Sequence, residues 1–286
     1  MSFGAEPRAT ALGAGAVLLW AALALLTVGA SRIPPFQLLA LTFGIAAIVG
    51  FFLSLYRKKS VVSAIRRHPH ALALATAALA GYHFFYFVAL RKAPAVDASL
   101  IAYLWPLLIV VFAGLAQRAL RPLHLGGAAL GLAGAWLIIA SRGNVALDSA
   151  YATGYACAAA CALIWSAYSV LNRRYAGAPV EVVAVACVLT ALAGTAAHLF
   201  LEETVAPSAL EWVHVGLLGL GPVGAAFFLW DYGTKRGNLP LLGVLSYAAP
   251  VLSTLLLVVA GAAAPTWQLA AAAALVTAGA ALASRR

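Results

Sequence analysis

Residues 71–92 read ALALATAALAGYHFFYFVALRK, twenty residues without Lys, Arg, Asp or Glu, closed by the adjacent cations Arg91 and Lys92. A bilayer core of about 30 Å is crossed by about 20 apolar residues in helical form, whereas a barrel strand needs only about 9–11 with strict alternation. The run is too long and too rich in Ala and Leu to be such a strand. A helix also satisfies its own backbone donors, as lipid requires.

Working outward, runs of the same kind cover 9–30, 34–56, 95–116, 122–140, 152–171, 180–201, 212–233, 239–260 and 265–283, which makes ten. Composition agrees: of 286 residues, 64% are hydrophobic and 9% charged. A soluble domain carries about 25% charged residues, so this little charge cannot coat a water-facing surface of this size. The expectation is an all-α polytopic membrane protein of ten transmembrane helices with short connections. Arg8, the apolar stretch after it and Val28-Gly29-Ala30 have the outline of a signal peptide. The run exceeds the usual core of 7–15 residues and has a counterpart later in the chain, so it is read as a helix.

That counterpart belongs to an internal repeat, a feature to be sought first. Phe84-Phe85 matches Phe227-Phe228 at an offset of 143, and Lys92 matches Lys235 at the same offset. Tyr103 and Pro106 match Tyr247 and Pro250 at 144, while Leu18-Leu19-Trp20 matches Leu163-Ile164-Trp165 and Gly134-Ala135 matches Gly279-Ala280 at 145. Each match is weak alone; their colinearity is the signal. The expected repeats are residues 1–145, holding helices one to five, and 146–286, holding six to ten. Five is odd, so the second repeat enters from the opposite side of the membrane. Inverted repeats suit alternating access around a midplane site.

Positive charge sets the expected orientation. With a cytoplasmic N-terminus, 14 of the 18 Lys and Arg residues fall inside, from Arg8 to Arg285 and Arg286. Arg32, Arg91, Lys92 and Arg142 fall outside. Both termini are expected in the cytoplasm. The net charge of +10 is spread over six membrane-flanking segments, so it does not mark a nucleic-acid face.

These features resemble the drug/metabolite transporter superfamily in its EamA-type branch of ten helices in two five-helix repeats. The Tyr- and Trp-rich third and fourth helices resemble the YddG-like amino-acid exporters of bacteria. The resemblance covers nearly the whole chain. It implies a multi-pass protein of the bacterial inner membrane that exports amino acids, aromatic ones among them, through a central cavity.

The residues offer a matching site. Tyr82 and Tyr86 share one face of helix three, with His83 between them. Helix four carries Ser99, Tyr103 and Trp105, helix one Trp20, helix six Trp165 and Tyr168, and helices eight and nine Phe227, Trp230, Ser246 and Tyr247. Membrane Trp and Tyr ordinarily anchor at interfaces, which suits Trp136, Tyr151, Trp212 and Trp267. Trp20, Tyr82, Tyr86, Tyr103 and Trp165 lie too far inside their runs for that, and are expected to line a cavity. An ammonium group over a Trp or Tyr face gains about 0.5–2 kcal/mol when desolvated. A carboxylate can accept from Tyr hydroxyls, indole N–H groups and His83. No Lys or Arg lies at midspan, which disfavours phosphate-bearing cargo.

An ionisable residue inside a membrane is a functional candidate by default. His83 and Asp231 are the two candidates for proton coupling, although a structural i,i+4 pair with Lys235 is the favoured reading of Asp231. His198 is read as interfacial, and His68-Pro69-His70 as a loop without further metal ligands. Pro106 and Pro250 are expected to kink helices four and nine and serve as hinges. Gly127, Gly131 and Gly134 on helix five are expected to pack closely against the Ala-rich helix ten. Cys157, Cys161 and Cys187 read as packing residues. No nucleophile and base converge within a span, so the expectation is a carrier, not an enzyme, with no metal or cofactor. The expected partners are amino acids and the lipid bilayer, with a monomer as the expected assembly. Export of another small amphiphile, such as a drug or nucleobase, is the alternative.

Overall fold

The computed structural model describes residues 5–141, 143–145, 147–261 and 263–285. Arg142 and Arg286, two cations of the charge argument, lie outside the described residues. Regular structure among the described residues is all helical, without strands. The first half holds α1 (Ala5–Ala21), α2 (Leu23–Val28), α3 (Pro35–Tyr56), α4 (Val61–Arg67), α5 (Pro69–Lys92), α6 (Ala95–Ala102), α7 (Trp105–Ala116) and α8 (Pro122–Ala140). The second holds α9 (Ala152–Leu171), α10 (Glu181–Leu201), α11 (Ala209–Leu220), α12 (Ala226–Arg236), α13 (Leu239–Leu245), α14 (Ala248–Val259) and α15 (Trp267–Ala283). Among the described residues, 9 helical segments are long and apolar enough to cross a membrane, from Glu6–Val28 to Leu239–Val259. The run at 265–283 is helical over 17 residues in α15, about 25 Å at 1.5 Å per residue.

Helix starts follow local chemistry. Proline opens α3, α5 and α8, where its missing N–H would have had no partner anyway. Ser208 and Glu211 form a reciprocal capping box on α11, satisfying two otherwise orphaned donors. One helix was not expected: α4 lies in the stretch read as a connection. Ser60 caps it by accepting from the Ser63 amide at 3.2 Å.

Four spans are interrupted. The first breaks at Ala22, between α1 and α2, and the fourth at Tyr103–Leu104, between α6 and α7. The eighth passes through a π turn, Gly221–Ala225, and the ninth breaks at 246–247, between α13 and α14. Pro106 and Pro250 therefore do not sit at the bends themselves. They occupy the first turns of α7 and α14, where proline fits. The bond each removes would have reached the carbonyl four residues back, so the break falls a turn earlier.

Small residues set a close crossing between α8 and α15. A Cβ on Gly127 would lie 2.6 Å from the Gly279 carbonyl oxygen, and one on Gly279 would lie 2.5 Å from that of Gly127. Gly134 faces Val276 and the Ala272 carbonyl, so it joins the same seam, while Gly131 receives the ring of Tyr247. Large apolar side chains such as Phe52, Phe200 and Val259 stay exposed on the outer surface, as lipid-facing positions require.

Chain direction reverses from span to span, giving the bundle two ends. At one, Lys235 bonds the Ala178 carbonyl and Asn238 bonds Thr10. At the other, Tyr155 bonds Asp97 and Arg91 pairs with Glu202.

Candidate functional site

Midway between these ends, four indoles from four helices meet. Trp20 comes from α1, Trp105 from α7, Trp165 from α9 and Trp230 from α12. Trp20 lies 5.1 Å from Trp230, 5.8 Å from Trp165 and 6.2 Å from Trp105, centroid to centroid. The remaining three pairs fall between 5.8 and 6.5 Å. Most are edge-on or tilted, the arrangement the ring quadrupole favours, and such pairs are worth about 0.5–1.5 kcal/mol beyond area burial.

More rings extend the cluster. Phe227 lies 5.7 Å from Trp165 and stacks on Phe43 of α3 at 5.6 Å. Tyr82 lies 5.8 Å from Trp165 and stacks on Tyr86 at 5.9 Å, so the one-face pairing of the two tyrosines is present. Tyr168 lies 5.3 Å from Trp165. Burial is uneven: Trp105, Trp165 and Trp230 are buried, while Trp20, Tyr82, Tyr86, Ser99 and Tyr103 are half-buried. The half-buried set lies largely toward the Asp97 end, where α2 has no buried residue. The cluster is thus less completely buried toward the Asp97 end.

Polar groups around the rings are few. The Trp20 indole N–H donates to the Pro222 carbonyl at 3.0 Å, inside the π turn, and the Trp230 indole donates to Ser169 Oγ at 3.1 Å. Those of Trp105 and Trp165 make no hydrogen bond among the described residues. His83 Nδ1 lies 2.7 Å from the Leu79 carbonyl. A carbonyl only accepts, so Nδ1 carries the proton; in the neutral ring Nε2 is then an acceptor. His83 bonds its own helix, and its ring stands edge-on to Phe43 at 5.1 Å.

Two expected residues lie elsewhere, and Tyr103 packs against the core that holds one of them. Tyr247 packs in a second core with Val110, Val251 and Val276, and Ser246 is fully buried with its hydroxyl donating to the Leu242 carbonyl at 2.7 Å. Both lie in the α13–α14 break. Phe43 was missed in the sequence, since nothing separates it from the lipid-facing phenylalanines of the same run. Cys161 is free and buried, its thiol 3.4 Å from the Tyr82 carbonyl.

The end bearing Lys235 is closed by a buried polar knot. Lys235 Nζ donates to Asp231 Oδ2 at 2.8 Å, the expected i,i+4 pair, and to the Ala178 carbonyl at 3.1 Å. Asn172 Nδ2 donates to Asp231 Oδ1 at 3.0 Å and to Thr234 Oγ1 at 3.1 Å. The knot joins α12, which packs along α1, to the end of α9, which packs along α5 and α7. Asn172 and Thr234 were not expected, because a lone Asn or Thr at a helix end gives no signal without a view of what faces it.

Comparison with known proteins decides the family. The EamA-like transporter family model matches twice, at residues 8–140 and 152–285. The chain belongs to the EamA-like transporter family. It is a multi-pass membrane transporter and not an enzyme. A curated relative from Ancylobacter novellus, the aromatic amino acid exporter YddG, is 51% identical over 279 residues, covering 96% of each chain. A solved crystal structure with 49% identity superposes with a TM-score of 0.92 over 98% of each chain. This EamA member shares its fold closely with that structure.

Proposed function

We propose that this transporter exports aromatic and other neutral amino acids across the bacterial inner membrane, binding them on the half-buried side of the indole cluster. The reading is carried by four mutually touching Trp side chains in a chain 51% identical to an aromatic amino acid exporter. A ring substrate finds edge and face partners there. Its carboxylate accepts from the free indole N–H groups of Trp105 and Trp165 and from the hydroxyls of Tyr82, Tyr86 and Tyr103. Its ammonium group lies over ring faces, with His83 Nε2 as an acceptor. Ser99 borders the approach. Lys235, the buried cation of the polar knot, is already paired with Asp231, which favours an uncharged or zwitterionic cargo.

Ten spans, with α15 as the tenth, in inverted repeats 1–145 and 146–286 fit this reading, as do cytoplasmic termini. Alternating access is supported by one asymmetry. At the repeat offsets, Asn172, Asp231 and Lys235 correspond to Thr27, Val88 and Lys92. The first set is buried and bonded, whereas Thr27 and Val88 are half-buried and Lys92 is exposed. Exchange of the two contacts would close the Asp97 end and open the other. Ser246 and Tyr247 act at the α13–α14 bend, Tyr103 and Pro106 at the α6–α7 bend, and Pro250 begins the outer half of the ninth span. Efflux of labelled phenylalanine from proteoliposomes tests the reading. Unchanged release from vesicles with and without the protein would reject it.

A further inference from the structure

A crevice of about 290 Å³ opens between α1, α3 and α12 at the Lys235 end, on the flank away from the indoles. Its apolar floor includes Leu12, Leu53, Phe228 and Leu229, and two arginines, Arg57 and Arg236, line it. Arg236 is held in place: its guanidinium lies 4.7 Å from the Tyr232 ring centroid and donates once, to the Ala176 carbonyl at 2.8 Å. Arg57 Nη1 stands 3.7 Å from Glu181, too far for a hydrogen bond, and its guanidinium makes none among the described residues.

The one acid lining the crevice, Asp231, is taken up by Lys235 and Asn172. Two guanidiniums with unused N–H donors thus sit at the rim of an apolar slot, where the spans meet water, Arg57 with the buried Glu181 as its counter-charge. Guanidinium groups suit phosphate oxygens through paired N–H donors, and the apolar slot suits a hydrocarbon chain. A soluble anion would need no such slot, and a zwitterionic headgroup would bring its own cation toward the arginines.

We propose that this crevice is a binding site for an anionic phospholipid, its headgroup phosphate on Arg57 and Arg236 and one acyl chain along Leu12, Leu53 and Phe228. A bound lipid would tie α3 to α12 beside the Asp231 knot, linking membrane charge to the stability of the closed end.

Native mass spectrometry of the detergent-purified protein, titrated with phosphatidylglycerol, tests the site. The variant carries Arg57→Gln, Arg236→Gln and Glu181→Gln, the last so that no buried carboxylate is stranded. The variant loses two cations and one acid, a net loss of one positive charge worth about 1 kcal/mol near the membrane, or about fivefold in affinity. The variant should lose about that factor, while Arg118→Gln with Arg121→Gln, at the same end, should not. Leu53→Trp, which fills the slot and keeps both arginines, should also weaken binding at an unchanged unfolding temperature. Equal phosphatidylglycerol binding by the arginine variant or by Leu53→Trp would overturn the proposal. So would equal binding of phosphatidylcholine, or displacement of the lipid by inorganic phosphate.

Discussion

Asn172 donates to Asp231 at 3.0 Å across the gap between α9 and α12, and the same carboxylate accepts from Lys235 at 2.8 Å. All three side chains are buried, and the Asp231 carboxylate holds the other two. Removing one partner of a buried ion pair costs about 3–5 kcal/mol, because the remaining charge is stranded. Asp231→Ala should therefore depress the unfolding temperature in detergent sharply. Asp231→Leu combined with Lys235→Met should recover most of it. Thermal unfolding of the single and double variants checks this, and equal losses in both would show that the stranded charge is not the cause.

The contact between Thr27 and the end of α5 should form when the Asp231 knot opens. With Cys157, Cys161 and Cys187 replaced by alanine, Thr27→Cys and Val88→Cys should cross-link during turnover and arrest efflux. If the pair cross-links no faster than Thr27→Cys paired with the distant Ser284→Cys, the proposed exchange of contacts is wrong.

The breaks at 103–104 and 246–247 precede Pro106 and Pro250 by one helical turn. Restoring the missing backbone donors stiffens both joints. Pro106→Ala with Pro250→Ala should slow turnover severalfold with little change in substrate affinity, measured as the maximal efflux rate against the half-saturating concentration. A normal rate would remove these joints from the mechanism.

The α8–α15 seam makes a sharp stability prediction. A methyl group on Gly127 or Gly279 meets a backbone oxygen at 2.5–2.6 Å, and backbone cannot rotate away. Overpacking of this kind costs about 1–3 kcal/mol. Gly127→Ala should lower the unfolding temperature, whereas Gly44→Ala, with nothing within 4 Å of its Cβ, should not.

Length and apolar content made the spans legible, because lipid leaves helices as the form that satisfies a single chain's backbone. Midspan position separated Trp20, Tyr82 and Trp165 from interfacial aromatics, and these three do converge. Phe43 was invisible because a core phenylalanine and a lipid-facing one look alike in so apolar a run. Ser246 and Tyr247 looked like neighbours of the rings from their place on helix nine, yet they lie in a break of that span, with Tyr247 in another core. The bend positions were read at the prolines and fell a turn earlier, since proline starts a helix more readily than it interrupts one.

The account rests on passage of an aromatic amino acid over the indole cluster, and efflux kinetics with a single conservative change test it most directly. Proteoliposomes loaded with labelled phenylalanine should empty with the native protein. With Trp165→Phe, which keeps a ring but removes the free indole N–H, they should empty about tenfold more slowly, the scale of one lost hydrogen bond of about 1.4 kcal/mol. Trp136→Phe, on the outer surface, should leave the rate unchanged. Equal efflux by the native, Trp165→Phe and Trp136→Phe proteins would contradict the account.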